Sequence, residues 1–325
     1  MAHLSRNRYA PDRSARMPVR ILMAAPRGFC AGVRRAIAAV EAALDRFGPP
    51  VYVRRAIVHN MRVVRALERR GAVFVDEVDA VPAGAVLILS AHGVARSVVA
   101  QAGARGLRLF DAVCPLVRKV HEEVARHDRD GRRVLLIGHD GHPEVVGTVG
   151  QLPSGRVLPV RDAAEAEAIG VASTEPLAFA VQTTFSTDEA EATIAAMRAR
   201  FTDLVGPRSS DICYATTNRQ AAAKRIAAEA DAMLVAGDSL SSNAARLAEI
   251  ARAAGCPAVQ LVEGASEIDW SVLGRPRTIG VTAAASTPEE AVDEIVAALG
   301  ARFEARIEER EAVVETARFK PLELA

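Results

Sequence analysis

Three cysteines carry the chemistry this chain is equipped to do. Cys30 lies in PRGFCAGVRRA, Cys114 in FDAVCPLVRKVH and Cys213 in SDICYATTNRQ, one in each third of the 325 residues. Each opens a loop that runs into a helix-forming stretch. A thiolate is a metal ligand, and three drawn from distant segments imply something held between them. Three is one short of the four ligands that close a metal or cluster site, and the vacant position is where chemistry would occur. The alternative for any single cysteine is a small core hydrophobe. Cys256, in AGCPAVQLV, fits that alternative because it precedes a strand. Zinc is the competing metal, but it usually brings C-x-x-C pairs or nearby histidines, and neither accompanies these cysteines.

A second set of residues suits an anion. His59, His92 and His142 each follow an apolar run, and imidazole donates to phosphate oxygens. Ser241, Ser242 and Asn243 stand at a helix start. That pattern is an ordinary N-cap or a phosphate cradle. Ser286, in AAASTPEE, and Thr183, in QTTFS, carry the same ambiguity between capping or turn roles and a ligand. Glu144, in GHPE, is a surface acid by default; beside a buried anion and a cluster its pKa would rise and suit it to proton delivery. His121 and His127 fall in a highly charged helix and are expected to be solvated, with His139 a satisfied loop residue. Neither G-x-x-x-x-G-K-[ST] nor G-x-G-x-x-G occurs, so nucleotide sites of those kinds are unsupported.

The elements that must position these groups repeat nine times: a short apolar run, a polar loop, an amphipathic helix. RILMAA, VYVRRAIV, AVLILSA, LRLFDAV, RVLLIG, LAFAVQ, PRSSDI, AMLVAGD and TIGVTAAAS are the apolar runs. Such alternation builds parallel sheets covered by helices, with ligands beyond the carboxyl ends of the strands. Taken in threes, the units give Cys30, His59, His92; then Cys114, His142 with Glu144, Thr183; then Cys213, the Ser241–Asn243 run, Ser286. The expected fold is α/β: three similar lobes with pseudo-three-fold symmetry around one central pocket. The seams are set near 113 and 212. That gives a flexible extension at 1–18, lobes at 19–113, 114–212 and 213–299, and a charged tail at 300–325.

Composition supplies the limits. Half the residues are hydrophobic, enough for a large core. Lys+Arg 41 against Asp+Glu 40 leaves a net charge of +1, with no global field to gather nucleic acid or coat a membrane. No apolar run reaches the ~18 residues of a membrane span. Four scattered cysteines suit a reducing compartment, so the cytoplasm is expected.

Taken together, PRGFCAGVRRAI, VHN, SAHGV, DAVCPLVRKVH, GHPEVVGTVGQ, QTTFSTDEA, DICYATTNRQ, SSN and VTAAAS resemble the motif set of the 4-hydroxy-3-methylbut-2-enyl diphosphate reductases. These are iron–sulfur oxidoreductases that end the non-mevalonate route of isoprene biosynthesis. The resemblance spans about residues 20 to 300. It implies three α/β lobes around one [4Fe–4S] cluster per chain, with three cysteine ligands and one open iron. On it, Cys30, Cys114 and Cys213 match the ligands. His59, His92, His142, Ser241, Ser242, Asn243 and Ser286 match positions holding the diphosphate, Thr183 a substrate-contacting threonine, and Glu144 the proton donor. The implied partners are an allylic diphosphate and a ferredoxin or flavodoxin, with the chain a monomer or weak homodimer. Val113, Ala284, Ala244 and Arg34 depart from the family's common residues without removing any of these groups.

Overall fold

The computed structural model describes residues 16–311 and 313–324. Most of the expected extension lies outside those residues, and Pro18 already belongs to a strand. Numbered along the chain, β1 (Pro18–Ala25) enters α1 (Ala31–Phe47), and β2 (Val51–Arg54), α2 (Met61–Arg69), β3 (Ala72–Val75), β4 (Val86–Leu89), α3 (Arg96–Ala104) and β5 (Arg108–Asp111) follow. Next come α4 (Pro115–Arg129), β6 (Arg133–Ile137), α5 (Pro143–Val149), β7 (Val157–Val160), α6 (Ala163–Ala168), β8 (Leu177–Val181), α7 (Thr187–Arg200) and β9 (Leu204–Val205). The last stretch holds α8 (Tyr214–Ala227), β10 (Ala232–Ala236), α9 (Ser242–Ala253), β11 (Ala258–Val262), α10 (Trp270–Leu273), β12 (Thr278–Ala283), α11 (Glu289–Arg302) and β13 (Glu304–Glu311).

The strands form three sheets, ordered β3-β2-β4-β5, β7-β6-β8-β9 and β11-β10-β12-β1-β13. Every pairing among the described residues is parallel. The chain is therefore α/β, with helices covering each sheet. Strand interiors are apolar on both faces, as sheets buried from both sides require: Leu135, Leu136 and Ile137 of β6 are buried. Each such side chain contributes about 1.5–3 kcal/mol by leaving water. α1 places Ala36, Ala39, Val40, Ala43 and Leu44 on one stripe and packs it against Val51, Val53 and Ile57.

The three sheets share one strand order, with β13 added at the edge of the third, and that order corrects the grouping read from sequence. β1 does not open the first lobe. It pairs with β12, so Cys30 completes the sheet that carries the Ser241–Asn243 and Ser286 loops. By the same rule Cys114 follows β5 in the sheet of His59 and His92, and Cys213 follows β9 in the sheet of His142 and Thr183. Each cysteine ends a sheet instead of starting one. The helix after it packs on the next sheet: α1 against β2, α4 against β6, and α8 against the core of β10. The thiols thus sit where the chain crosses from one lobe to the next. The seams at 113 and 212 fall immediately before two of these crossings, and we propose that the third lies at Cys30.

The strands differ from expectation in places. β3, β7, β11 and β13 are not among the nine apolar runs, although a strand after Cys256 is expected, and PRSSDI forms no strand, its place being taken by Leu204–Val205. β13 lies in the stretch read as a charged tail. It pairs with the whole of β1, whose Arg20 meets Glu308 at 3.1 Å, while Glu309 and Arg310 pair with Arg27 and Glu229 outside the strand. A charged outer strand also resists edge-to-edge association. Beyond it the chain returns to the first lobe, where Leu322 and Leu324 pack on the core under α1.

Candidate functional site

The three crossings place the thiols at helix starts. Cys30, Cys114 and Cys213 are the N-caps of α1, α4 and α8. The Cys30 sulfur accepts the Val33 N–H at 3.5 Å and the Cys213 sulfur the Thr216 N–H at 3.4 Å. The backbone N–H of each cysteine donates to a carbonyl in the neighbouring loop: Cys30 to Ala285 (3.1 Å), Cys114 to Ala91 (3.0 Å), Cys213 to Thr183 (3.0 Å). Those loops carry Ser286, His92 and Thr183. One local device, used three times, ties each thiol to a polar group beside it.

All the residues singled out from sequence as site residues line one cavity, which holds about 690 Å³ of space including its mouth. Cys256 is buried in the core of the third lobe, away from it. Gly32, in the first turn of α1, is what lets the walls meet: a Cβ there would stand 2.7 Å from the Cys114 sulfur. Sequence reasoning missed Gly32, although a glycine two residues after a candidate ligand is a sign of close approach.

Among the described residues no three His, Cys, Asp or Glu side chains are spaced to hold a single metal ion. Three thiols nevertheless face one cavity. A body broader than one ion fits that arrangement, and an all-sulfur donor set suits iron–sulfur chemistry. Burial pushes the Cys114 thiol up to about 12 and the Cys213 thiol up to about 11, with the neighbouring cysteines acting in the same direction. At those values Cys114 and Cys213 stay protonated near neutrality, so ligation by them must release protons.

The opposite wall is polar. His59 stacks on His92 with ring centres 3.9 Å apart, and His142 meets them edge-on at 5.5 and 6.1 Å. Burial holds all three imidazoles below their ordinary range, His142 down at about 3; charge on His59 and His142 further disfavours charge on His92, and charge on His59 does the same to His142, while Asp238 partly offsets the shift at His59. His59 Nε2, Ser242 Oγ and both amide atoms of Asn243 are buried without a partner. Orphaned polar atoms concentrated at one place mark a missing ligand. Ser241 caps α9, and Ser286 Oγ donates to the His59 carbonyl at 3.0 Å, joining the first and third lobes. No Lys or Arg lines the cavity. An anion there would be balanced by the start of α9, these donors and imidazolium formed on binding.

Glu144 is not a surface acid. It is 2% exposed, and Thr183 donates to it twice, from N at 2.6 Å and from Oγ1 at 2.8 Å. Burial pushes its carboxyl up to about 7 against those hydrogen bonds. Near neutrality it can hold or release a proton.

The two helix histidines also differ from expectation. His127 is 1% exposed, and His121 is half-buried because α4 lies against the second sheet and Gly93. Charges at i±1 on a helix do not share a histidine's face, so a charged neighbourhood in sequence did not mean a wet one. His139 contacts Arg246 at 3.2 Å and the Phe185 ring, outside the cavity.

Several supports were invisible in sequence. Lys119 of α4 grips the carbonyls of Ser209 and Ser210 and the Asp211 carboxylate, so the Cys114 helix holds the Cys213 loop. Asp238 accepts the N–H groups of Met61 and Leu240 at 2.8 Å each, pinning the start of α2 to the loop before Ser241. The buried Arg219 guanidinium donates to the Gly28 carbonyl and to Glu315.

The LytB protein family model matches residues 21–300. The chain is 51% identical over 303 residues to the 4-hydroxy-3-methylbut-2-enyl diphosphate reductase of Cereibacter sphaeroides, covering 93% of this chain and 95% of that one. It is 52% identical to the reductase of the same name from Paracoccus denitrificans, covering 93% and 96%. The solved structure of the E-1-hydroxy-2-methyl-but-2-enyl-4-diphosphate reductase from Plasmodium falciparum matches with a TM-score of 0.89 at 34% identity, covering 94% and 95%.

Proposed function

The chain belongs to the LytB protein family, and we propose that it reduces 4-hydroxy-3-methylbut-2-enyl diphosphate. Two electrons and two protons cleave the allylic C–O bond, releasing water and leaving isopentenyl or dimethylallyl diphosphate. The observation that carries this reading is one cavity with three cysteines at helix N-cap positions on one side and unpartnered polar groups suited to an anion on the other.

Cys30, Cys114 and Cys213 would hold one [4Fe–4S] cluster. When bound, such a cluster supplies single electrons and an iron with a vacant position. The polypeptide supplies placement and charge. His59, His92, His142, Ser241, Ser242, Asn243 and Ser286 bind the diphosphate and so turn the hydroxyl end toward the thiol wall. The buried cavity excludes bulk water, which strengthens each of these interactions. Glu144, with its carboxyl near 7, is the proton reservoir, and the Thr183 hydroxyl that donates to it lines the cavity beside it. No residue pattern for a flavin or nicotinamide is present, so electrons come from a separate ferredoxin or flavodoxin. The chain acts in the cytoplasm as a monomer or weak homodimer. No helix among the described residues is long and apolar enough to cross a membrane.

Anaerobic turnover with a chemical reductant tests the reading. One water and one allylic or isomeric diphosphate should form per two electrons consumed. Tight binding of the substrate without turnover would leave a redox-sensing binding protein and overturn the assignment.

A further inference from the structure

A second hollow lies behind the thiol wall, on the outer side of the Cys30 and Cys213 loops. Phe29 and Ala31, which flank Cys30, line it together with Tyr214, which follows Cys213. The Tyr214 hydroxyl accepts the Ala31 N–H at 3.3 Å, so the two loops meet there. The returning chain at 315–321 forms the far rim.

The hollow is strongly one-signed in a chain whose net charge is +1. It is lined by five arginines and one glutamate. That glutamate, Glu315, is spent on the buried Arg219 at 2.8 Å, and Arg27 is matched by Glu289 and Glu309. Arg34, Arg35 and Arg318 have no carboxylate within 4 Å among the described residues, and Arg34 and Arg318 are exposed. Lys320 adds a further exposed cation beside them, its carbonyl accepting from Arg35.

We propose that this arginine-lined hollow is the docking surface for a small acidic one-electron carrier protein. The inference rests on the reading above, in which reduction needs two electrons from outside. Each carrier gives up one electron and is oxidised, two encounters serve one turnover, and the protons are taken up in the substrate cavity. Electron transfer falls steeply with separation, and the hollow reaches within one residue of two of the three thiols. No residue lining this hollow also lines the substrate cavity, so a carrier seated here does not contact the groups proposed to bind substrate. Unpaired arginines with Phe29, Phe319 and Tyr214 have the make-up of an interface core, and a one-signed face raises the encounter rate of an oppositely charged partner.

The test compares holoenzyme carrying Arg34→Glu and Arg318→Glu with holoenzyme carrying Arg198→Glu and Arg275→Glu. The second pair makes the same charge change at exposed arginines that do not line the hollow. Calorimetry with an oxidised acidic ferredoxin reads binding, and turnover is driven in parallel by reduced ferredoxin and by dithionite with methyl viologen. The hollow variant should lose about tenfold in ferredoxin affinity and show a shallower salt dependence, with dithionite-driven turnover and iron content within about twofold of the parent. The remote variant should change affinity by less than about threefold. Unchanged ferredoxin affinity in the hollow variant, or equal losses in both, would overturn the proposal. A parallel loss of dithionite-driven turnover would also overturn it, pointing to cluster assembly or a small anion at this face. Absence of dithionite-driven turnover in the parent would instead sink the reductase reading, while the calorimetry would still decide the docking surface.

Discussion

The two walls of the cavity are built on opposite principles. On the thiol wall every group has a local structural place: each cysteine caps a helix, and each backbone N–H is tied to the next loop. On the polar wall the backbone is equally fixed, but the side-chain atoms of His59, Ser242 and Asn243 face the cavity unpartnered. Burial raises the Cys114 and Cys213 thiols to about 12 and 11, so on the first wall ligation must displace protons and becomes more favourable as pH rises. The second is shaped to take something up and release it. Desolvated donors wait for an anion, and no fixed cation is present to hold it after the reaction. On the proposed function, the first wall belongs to the cluster and the second to the diphosphate.

That contrast breaks most sharply at a cysteine. Cys114→Ser should lose iron and activity together, with activity down by well over 100-fold, because even outer-shell changes cost metal sites 10–100-fold. A fully coloured, active variant would remove Cys114 from the thiol wall. Glu144→Gln should keep its iron and its diphosphate affinity while kcat falls about 100- to 1,000-fold. In the parent, kcat should decline as pH rises through about 7, since the protonated carboxyl is the form needed, and the glutamine variant should lack that limb. Near-normal steady-state rates would take Glu144 out of the chemistry.

Smaller effects sharpen the difference. Asn243→Ala should weaken substrate binding about tenfold with the absorption spectrum unchanged, the cost of a lost hydrogen bond to a charged ligand. Loss of iron in that variant would merge the two walls into one structural unit. Substrate binding should also take up protons. The unliganded imidazoles sit below their ordinary range and are neutral near pH 7, whereas bound diphosphate favours the imidazolium. Affinity should therefore fall with rising pH wherever that uptake exceeds proton release from the diphosphate. Calorimetry in buffers of different ionisation heat reads the uptake directly, and it should shrink in His142→Asn. The same depression makes these residues destabilising to the unliganded fold in acid. Unfolded histidines bind protons from about 6.5 downward while the folded ones do not, so the thermal midpoint should drop as pH falls below that value.

Much of this was legible in the chain because each chemical residue stands directly after a short apolar run. That phase survives any rearrangement of whole strands, and so all the site residues converge. The assignment of runs to lobes was not legible. β1 lies some 250 residues from its partner β12, and nothing in RILMAA distinguishes joining β2 from joining β12. β13 hid for a related reason: Glu308 is paired by Arg20 of β1 and Glu309 and Arg310 by Arg27 and Glu229 outside the strand, and propensity gives way to pairing. Glu144 and His127 read as surface groups because a sequence shows a residue's neighbours along the chain and not the sheet that covers it. Gly32, Lys119, Asp211, Asp238 and Arg219 act across lobes, so their partners lie at separations no local pattern encodes.

Iron and acid-labile sulfide, counted on protein purified without oxygen and paired with electron resonance of the dithionite-reduced form, address the shared thiol site most directly. About four of each per chain, with a reduced-cluster signal that shifts when substrate is added, is the expected result. Colourless protein that stays free of iron after anaerobic reconstitution, with Cys30, Cys114 and Cys213 still reactive toward a thiol reagent, would contradict it.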